Sequence, residues 1–454
     1  MNSTPYEIRK IDHRMSSFFA LGLVLILTAL GTGTSQVSMQ TEKTLTLDGA
    51  VELALKQNLD VQIATLDLAT HQQARFIARS KLLPQAEVKG SESITRYNQR
   101  AQIGVSGSPG SIGPYQAIYV GSSFSAPVFD LTLLNQYQAS GHRLQASRED
   151  QQTVREETVL LTVSEYMVHL RALAAIEAAE SRVKLANSLA KQANDLRNEG
   201  VATKIDVSRA EVRLLEEKQR LIDAERDAQT SMNALKRILN IPEGEDIAFA
   251  DREAFSATPT LDLANPVATA LAQRSELKSD AQSLLAARSA HAAAVSESLP
   301  KLSFAGKWNE QGGTLASVTP GYEYRFDLSL PIFTAGRLKA VRKSAVLDEQ
   351  KADRQLKQTR NLVTEQVSNG EVEIHAALNQ VALGKQEVQL ANEEVTLSQG
   401  RFQSGVTDNI EVIAAQDALA RANDEEINAL YRYNIARAQL ARAVGSIEQI
   451  YTRP

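Results

Sequence analysis

The amino-acid sequence predicts a mainly α chain with a membrane β-barrel part, built as an internal two-fold repeat and completed by oligomerisation. Three observations carry that prediction. Two very long stretches lack helix breakers, four shorter stretches alternate apolar and polar residues, and the order of these elements occurs twice.

At 454 residues the chain is too long for one ordinary domain. Its 43% hydrophobic and 23% charged content excludes a disordered tail, and the 5% aromatic content with sparse glycine and proline leans toward long helices. The net charge of −5 comes without any basic block, which argues against nucleic acid as a partner. There is no cysteine, so disulfides, thiolate metal sites and an N-terminal lipid-bearing cysteine are excluded. The histidines, at His13, His71, His142, His169, His291 and His375, are not spaced as ligands, so they read as surface or lumen residues and no metal is expected. No HExxH, phosphate-binding GxxxxGK[ST] or GxSxG motif occurs, so nothing argues for an enzyme or a cofactor.

At the N-terminus Arg9, Lys10, His13 and Arg14 precede an apolar run from Phe18 to Leu30, then small and polar residues. About 13 apolar residues are too few for a spanning helix of roughly 20. The pattern fits a secretory signal peptide, assigned to 1–36, with a single N-terminal anchor as the alternative. No other stretch reads as apolar enough for a transmembrane helix, so any crossing must be made by β-structure.

The repeat lies in paired motifs. Leu83-Pro84-Gln85 returns as Leu299-Pro300-Lys301, and Ala126-Pro127-Val128-Phe129 as Leu330-Pro331-Ile332-Phe333. Gly200-Val201 followed by Ile205-Asp206-Val207 returns as Gly405-Val406 followed by Ile410-Glu411-Val412. The first repeat is placed at 37–250, with an opening helix, strands about 84–98 and 115–127, a long helix about 130–199 and a return helix about 203–240. The second is placed at 251–445, with strands about 301–310 and 321–331, a long helix about 335–403 and a return helix about 408–445, before a tail at 446–454.

No proline falls between Pro127 and Pro242, and no glycine between Gly141 and Gly200. A helix through that span would be ~100 Å long at ~1.5 Å per residue, a length that calls for a coiled coil or tube. The return helices show the period. Val207, Ala210, Leu214, Leu221, Ala224, Ala228, Leu235 and Ile238 follow 3/4 spacing, broken at Glu217 and Ser231, and Val412, Ala415, Leu419, Ala422, Ala429, Tyr433, Ala436, Leu440 and Ala443 repeat it, broken at Glu426. Such a seven-residue period imposes coiled-coil packing.

Period two marks the strands. Leu302, Phe304, Gly306 and Trp308 alternate with polar residues, as do Tyr322, Tyr324, Phe326 and Leu328, and in the first half Ile118, Val120, Phe124 and Ala126. One apolar and one polar face is the pattern of a membrane barrel, although an amphipathic sheet on a soluble core reads alike. The strands of a pair are joined by turn-forming loops, Gly104 to Pro114 and Gly312 to Gly321. Four strands cannot close a barrel, and an open edge in lipid leaves backbone groups unpaired at several kcal/mol each, so more than one copy is required.

Together these features resemble the TolC-like outer-membrane efflux proteins, from about Leu45 to Gly445. The ordered duplicate set carries the resemblance, with the opening Leu47-Asp48-Gly49-Ala50 helix and the Leu-Pro and Gly-Val joints. The resemblance implies a homotrimer, a 12-stranded β-barrel (four strands per chain) in outer-membrane lipid, and a coiled-coil α-helical barrel reaching into the periplasm. It implies a passive duct served by an inner-membrane transporter and a periplasmic adaptor (membrane fusion protein), in efflux or type I secretion. Carried onto this chain, adaptor docking falls at the helix tips, with Gly200, Val201, Gly405 and Val406, and a periplasmic gate at Asp206 and Glu411. Both acids also sit in capping boxes, Thr203-Lys204-Ile205-Asp206 and Asp408-Asn409-Ile410-Glu411, and Ala414 stands where some relatives carry a second acid. The rival readings are a soluble periplasmic coiled-coil scaffold or adaptor and, more remotely, an envelope hydrolase.

Overall fold

The computed structural model describes residues 43–98, 111–242, 247–249, 265–314, 316–404, 406–407 and 409–452. The expected signal peptide, the loop tip at 99–110, Gly405 and Asp408 lie outside the described residues. The elements run β1 (Lys43–Leu45), α1 (Leu47–Gln57), α2 (Leu59–Ser80), β2 (Gln85–Tyr97), β3 (Ile112–Phe129), α3 (Leu131–Asn198), α4 (Lys204–Ile238) and β4 (Ile247–Phe249). They continue as α5 (Pro266–Gln273), α6 (Ser275–Ser296), β5 (Lys301–Gly312), β6 (Thr319–Ser329), α7 (Arg337–Gln403), α8 (Asn409–Val444) and α9 (Ile447–Tyr451).

The single opening helix expected in each half is two helices. Asn58 ends α1 and caps α2 in extended geometry, its Oδ1 accepting from Asp60 N and Val61 N. Its Nδ2 donates to Ile238 O at 2.9 Å, tying this break to the end of α4. Arg274 breaks α5 from α6 at φ −56 and ψ 125, without capping α6, and its side chain instead donates to the end of α8. A buried side chain that satisfies free helix-end groups holds the chain in this bend.

The four long strands form one antiparallel sheet of order β2-β3-β5-β6. Its register puts Phe304 beside Phe326, Gly306 beside Tyr324 and Trp308 beside Tyr322, with Phe124 opposite Gly306 and Ala126 opposite Phe304. The apolar residues thus gather on one face, where Phe304 and Phe326 centroids are 4.8 Å apart and Phe124 meets Phe304 edge-on at 5.4 Å. The other face carries charge, with Lys307 Nζ 2.7 Å from Glu323 and Arg325 Nε 2.9 Å from Asp327. Gly306 makes room for the rings, since a Cβ there would stand 2.4 Å from Phe124 Cε1 and 2.8 Å from Tyr324 Cδ1. Gly306→Val is therefore expected to push both rings aside at a cost of about 1–3 kcal/mol, read as a lower thermal midpoint. An unchanged midpoint would mean that the rings are not held against the strand.

Asp130 joins sheet to helix. Its carboxylate caps α3 at Thr132 N (2.8 Å) and lies 3.6 Å from Lys301 Nζ at the start of β5. α3 is 68 residues long and α7 is 67. Nearest the sheet the helices pack laterally in the order α2–α3–α6–α7, and farther away in the order α4–α3–α8–α7. α7 and α8 approach closely because they meet at glycines. A Cβ on Gly384 would lie 3.2 Å from Glu426 Cα, and one on Gly370 would lie 3.2 Å from Leu440 Cδ1.

The main core lies where the first and last described segments of the chain meet. Val159, Val163, Tyr166 and Leu170 of α3 pack with Val51 of α1, Leu235 of α4 and Ile447 of α9. By length and composition α3 contains a stretch apolar enough to cross a membrane, which corrects the expectation of none. The buried face of that stretch packs into this core, which explains its composition. β1 pairs in parallel with β4, joining the segment before α1 to the one after α4. Beside the core, Arg442 of α8 lies 3.2 Å from Glu156 of α3 and also contacts Glu276 of α6. Arg274 grips Glu276 with two 2.9 Å bonds and donates to the carbonyls of Arg442 and Ala443 at the end of α8.

Candidate functional site

The far ends of the four long helices meet in one place. α3 ends at Gly200 with φ 82, where Gly200 N donates to Arg197 O (3.0 Å) and Val201 N to Leu196 O (2.9 Å). This paired closure is a glycine-dependent helix end. In the second half Val406 N donates to Arg401 O at 3.0 Å, the equivalent bond, with Gly405 outside the described residues. Both turns present a bare valine. Val201 and Val406 are 60% and 69% exposed. Behind them Leu189, Ala193, Val207, Phe402 and Val412 form a small core, and Asn409 Nδ2 donates to Asp206 O at 2.8 Å. The two turns are therefore fastened side by side.

The two expected gate acids have different settings. Asp206 completes a reciprocal capping box. Its Oδ2 accepts from Thr203 N (2.9 Å) and the Thr203 hydroxyl (2.6 Å), and its own N–H donates to Thr203 Oγ1 (3.3 Å). The hydroxyl bond holds its carboxyl below the ordinary aspartate range, partly offset by burial and helped by the Thr203 N–H and Arg209. Glu411 is more open, and its Oε1 lies 3.2 Å from Arg401 Nε across the turn. Asp206 is thus anionic and fixed at neutral pH, while Glu411 lies at the surface in an exposed ion pair with Arg401.

Above the tips lies a charged knot that sequence reading treated as a break in the seam. Glu217 is buried, and Arg213 Nη2 and Arg220 Nη1 each approach its Oε1 at 2.8 Å, with Arg182 of α3 at 3.4 Å. Arg213 also contacts Asp417 of α8, and Arg182 lies 2.9 Å from Asp424 of α8. Glu217 thereby ties α4 to α3, and the arginines that hold it carry the link on to α8. Ser231, the other break in that seam, is buried against His169, whose Nδ1 lies 2.9 Å from the serine Oγ. His169 is therefore a core residue rather than a surface or lumen one, and burial pushes its pKa down, partly opposed by a backbone hydrogen bond at Ala228. A polar residue at a heptad core position was the available signal for both contacts. Among the described residues no group of three or more His, Asp or Glu is arranged to hold a metal.

At the opposite end, the apolar face of the sheet is open. Tyr322 is 78% exposed and Phe326 69%. A monomer in water rarely shows a contiguous patch of such rings, and a lipid-facing strand does.

The family model described as "Outer membrane efflux protein" matches residues 50–240 and 267–446. The chain belongs to the outer membrane efflux protein family. Outer membrane protein TolC of Vibrio cholerae is 22% identical over 402 residues, 85% of this chain and 88% of that one. The probable efflux pump outer membrane protein TtgC of Pseudomonas putida is 23% identical over 409 residues, 88% and 82% of the two chains. The fold is shared with solved channels of the family. The outer-membrane channel OprN superimposes with a TM-score of 0.79 at 18% identity, covering 88% of this chain and 90% of that one. The Campylobacter jejuni CmeC outer membrane channel gives 0.79 at 19% identity, covering 88% and 86%. As a member of this family the chain is an outer-membrane efflux channel, and the scaffold and adaptor reading is not favoured.

Proposed function

We propose that three copies of this chain form a passive duct across the outer membrane, in a tripartite efflux or type I secretion assembly. In this reading the four strands of each copy contribute to a 12-stranded barrel in lipid, and the long helices continue it as a tube through the periplasm. The two structural repeats, 37–250 and 251–445, supply equivalent sixths of that wall. An inner-membrane transporter supplies the energy, and a periplasmic adaptor (membrane fusion protein) joins the two. The observation that carries the reading is a sheet with a ring-rich apolar face on one side and an ion-pair ladder on the other. Lipid satisfies the first face and a water-filled bore the second.

The tips are the docking surface for the adaptor. Exposed Val201 and Val406 offer apolar contact, Gly200 provides the tight turn that presents Val201, and Gly405 holds the matching place in the sequence. Val201→Asp with Val406→Asp should leave the amount of channel in the outer membrane unchanged and abolish export, read as intracellular accumulation of the pump's cargo. Normal export by this variant would remove the tips from the docking surface.

Asp206 and Glu411 are the residues assigned to the periplasmic mouth, where rings of carboxylates favour cations over anions. The geometry divides their labour, since Asp206 also caps α4. Glu411→Ala is expected to lower cation selectivity and block in planar bilayers with little loss of stability. Asp206→Ala is expected to cost about 1 kcal/mol as a lost cap as well. If neither substitution alters conductance or block, the gate assignment fails and only the cap remains.

A further inference from the structure

We propose that Lys339 and Lys343, at the start of α7, hold anionic phospholipid headgroups of the periplasmic leaflet, with Ile332 and Phe333 seated in the acyl layer beside them. This rests on the lipid-facing reading of the sheet above and names the lipid class that meets its periplasmic rim.

The joint between β6 and α7 passes abruptly from apolar to basic. Leu328 and Leu330 continue the apolar face of β6, and Ile332 and Phe333 after them are 93% and 87% exposed. A turn follows, with Ala335 at φ 47 and Gly336 at φ 85. Arg337, Lys339, Arg342 and Lys343 come next, and no acid falls between Asp327 and Asp348. The chain as a whole carries a net charge of −5, so this is a local reversal. The fold does not require it, because the corresponding joint between β3 and α3, from Val128 to Gly141, has no basic residue and is capped by Asp130.

Two of the four cations have work inside the chain. Arg337 Nη1 lies 3.1 Å from Glu297, and Arg342 donates to Ser298 Oγ, so both fasten α7 to the end of α6. Lys339 and Lys343 are exposed and pair with no acid among the described residues. Nor do they stabilise their own helix. Cations near a helix N-terminus oppose its dipole, and α7 has no acid in its first turn to offset them.

Both lysines point away from the bore. Near the sheet the helices lie side by side in the order α2–α3–α6–α7, and all four line one cavity, with Ala74, Ser140, Ala294 and Ala345 in it. A cavity shared by four helices in a row lies on the concave face of the layer, which is the bore side. On α7 that face carries Val341, Ala345 and Asp348. Lys343 stands two residues from Val341 and from Ala345, and Lys339 nine from Asp348. At ~3.6 residues per turn each of these separations is about half a turn.

The depth also fits. At ~1.5 Å per residue, Lys339 and Lys343 lie about 4 and 10 Å along the helix from its first turn. A headgroup layer is roughly 5–8 Å deep on each side of the hydrocarbon. Helical side chains lean toward the N-terminus, here toward the sheet, and a lysine stem can extend so that its ammonium reaches the phosphates. An anionic lipid is the occupant because the lysines continue, at headgroup depth, a face turned to acyl chains. A protein partner would have to enter the bilayer to cover Ile332 and Phe333.

The test titrates phosphatidylglycerol and phosphatidylcholine onto the full-length channel in detergent, with bound lipid read by native mass spectrometry. Wild type should bind phosphatidylglycerol more tightly. Lys339→Gln with Lys343→Gln should lose that preference, roughly five-fold per lysine at low salt. Lys339→Arg with Lys343→Arg should keep it, as should Lys385→Gln, far along α7. Excess inorganic phosphate should not displace the lipid. Equal affinity of wild type for the two lipids, or a preference that survives in the double glutamine variant, overturns the proposal. Full displacement by inorganic phosphate assigns the lysines to a soluble anion and overturns it as well. Each of these results leaves the lipid-facing sheet standing. A wild-type chain that retains neither lipid and is released from membranes by carbonate overturns both.

Discussion

Arg442→Ala should destabilise the helical part by about 3–5 kcal/mol, because it leaves buried carboxylates without their cation. Arg442 is buried, approaches Glu156 at 3.2 Å and Glu157 at 3.7 Å, and contacts Glu276. Burial pushes the Glu276 carboxyl up, and the hydrogen bonds and charges of Arg274 and Arg442 outweigh it and bring it down from 4.5 to about 2. A depressed acid contributes stability that is fully present above about pH 4.5 and lost as pH falls toward 2, here roughly 3 kcal/mol at ~1.36 per unit. Glu156 opposes part of this. Burial raises its carboxyl despite Arg442 and Ser275, so it regains stability as pH falls. Denaturant unfolding followed by circular dichroism should therefore separate Arg442→Ala widely from wild type at neutral pH. The two curves should converge on acidification. A constant gap down to pH 3 would show that packing, rather than charge, is what Arg442 supplies.

Phe326→Arg should cost about 2–4 kcal/mol and deplete the chain from the outer membrane, if its face meets lipid. The substitution discriminates because Phe326 is so exposed within one chain. On a sheet facing water, the same change at an exposed site would be nearly neutral and would favour solubility. Asp327→Asn, one residue along on the charged face, is the control. It removes one partner of an exposed ion pair with Arg325 and should change little. Equal abundance of both variants in the outer membrane would place Phe326 outside the bilayer.

The sequence shows much of this architecture because its dominant signals are local. Period two across Tyr322, Tyr324, Phe326 and Leu328 marks a strand with two unlike faces, whatever covers them. A glycine-free run before Gly200 similarly marks one long helix. What escapes sequence reading depends on distant partners. The break at Asn58 looks like a helical position until its bond to Ile238 O is seen. Glu217 looks like a flaw in a heptad, and becomes a hub only when Arg182, 35 residues earlier, arrives beside it. The three-residue pairing of β1 with β4 has no periodicity to read. At the tips, the capping role of Asp206 is legible from Thr203 three residues before it. The ion pair of Glu411 with Arg401 crosses a turn, and spacing alone does not announce it.

The same contrast explains how the chain serves a duct. Buried alanines and glycines let its helices run close, while charged residues cover much of the outside of a long, thin wall. Its buried side chains fall into several small clusters along the helices. The main core, where the first and last described segments meet, buries Tyr166, Leu235 and Ile447 beside the Arg442–Glu156 ion pair.

The most direct test is to purify the chain from detergent-solubilised outer membranes, determine its mass and apply it to a planar bilayer. A trimer that opens discrete, cation-influenced conductances is the predicted result. A monomer or dimer that is released by carbonate and leaves the bilayer silent would contradict the account, because the apolar sheet face would then have no membrane to meet.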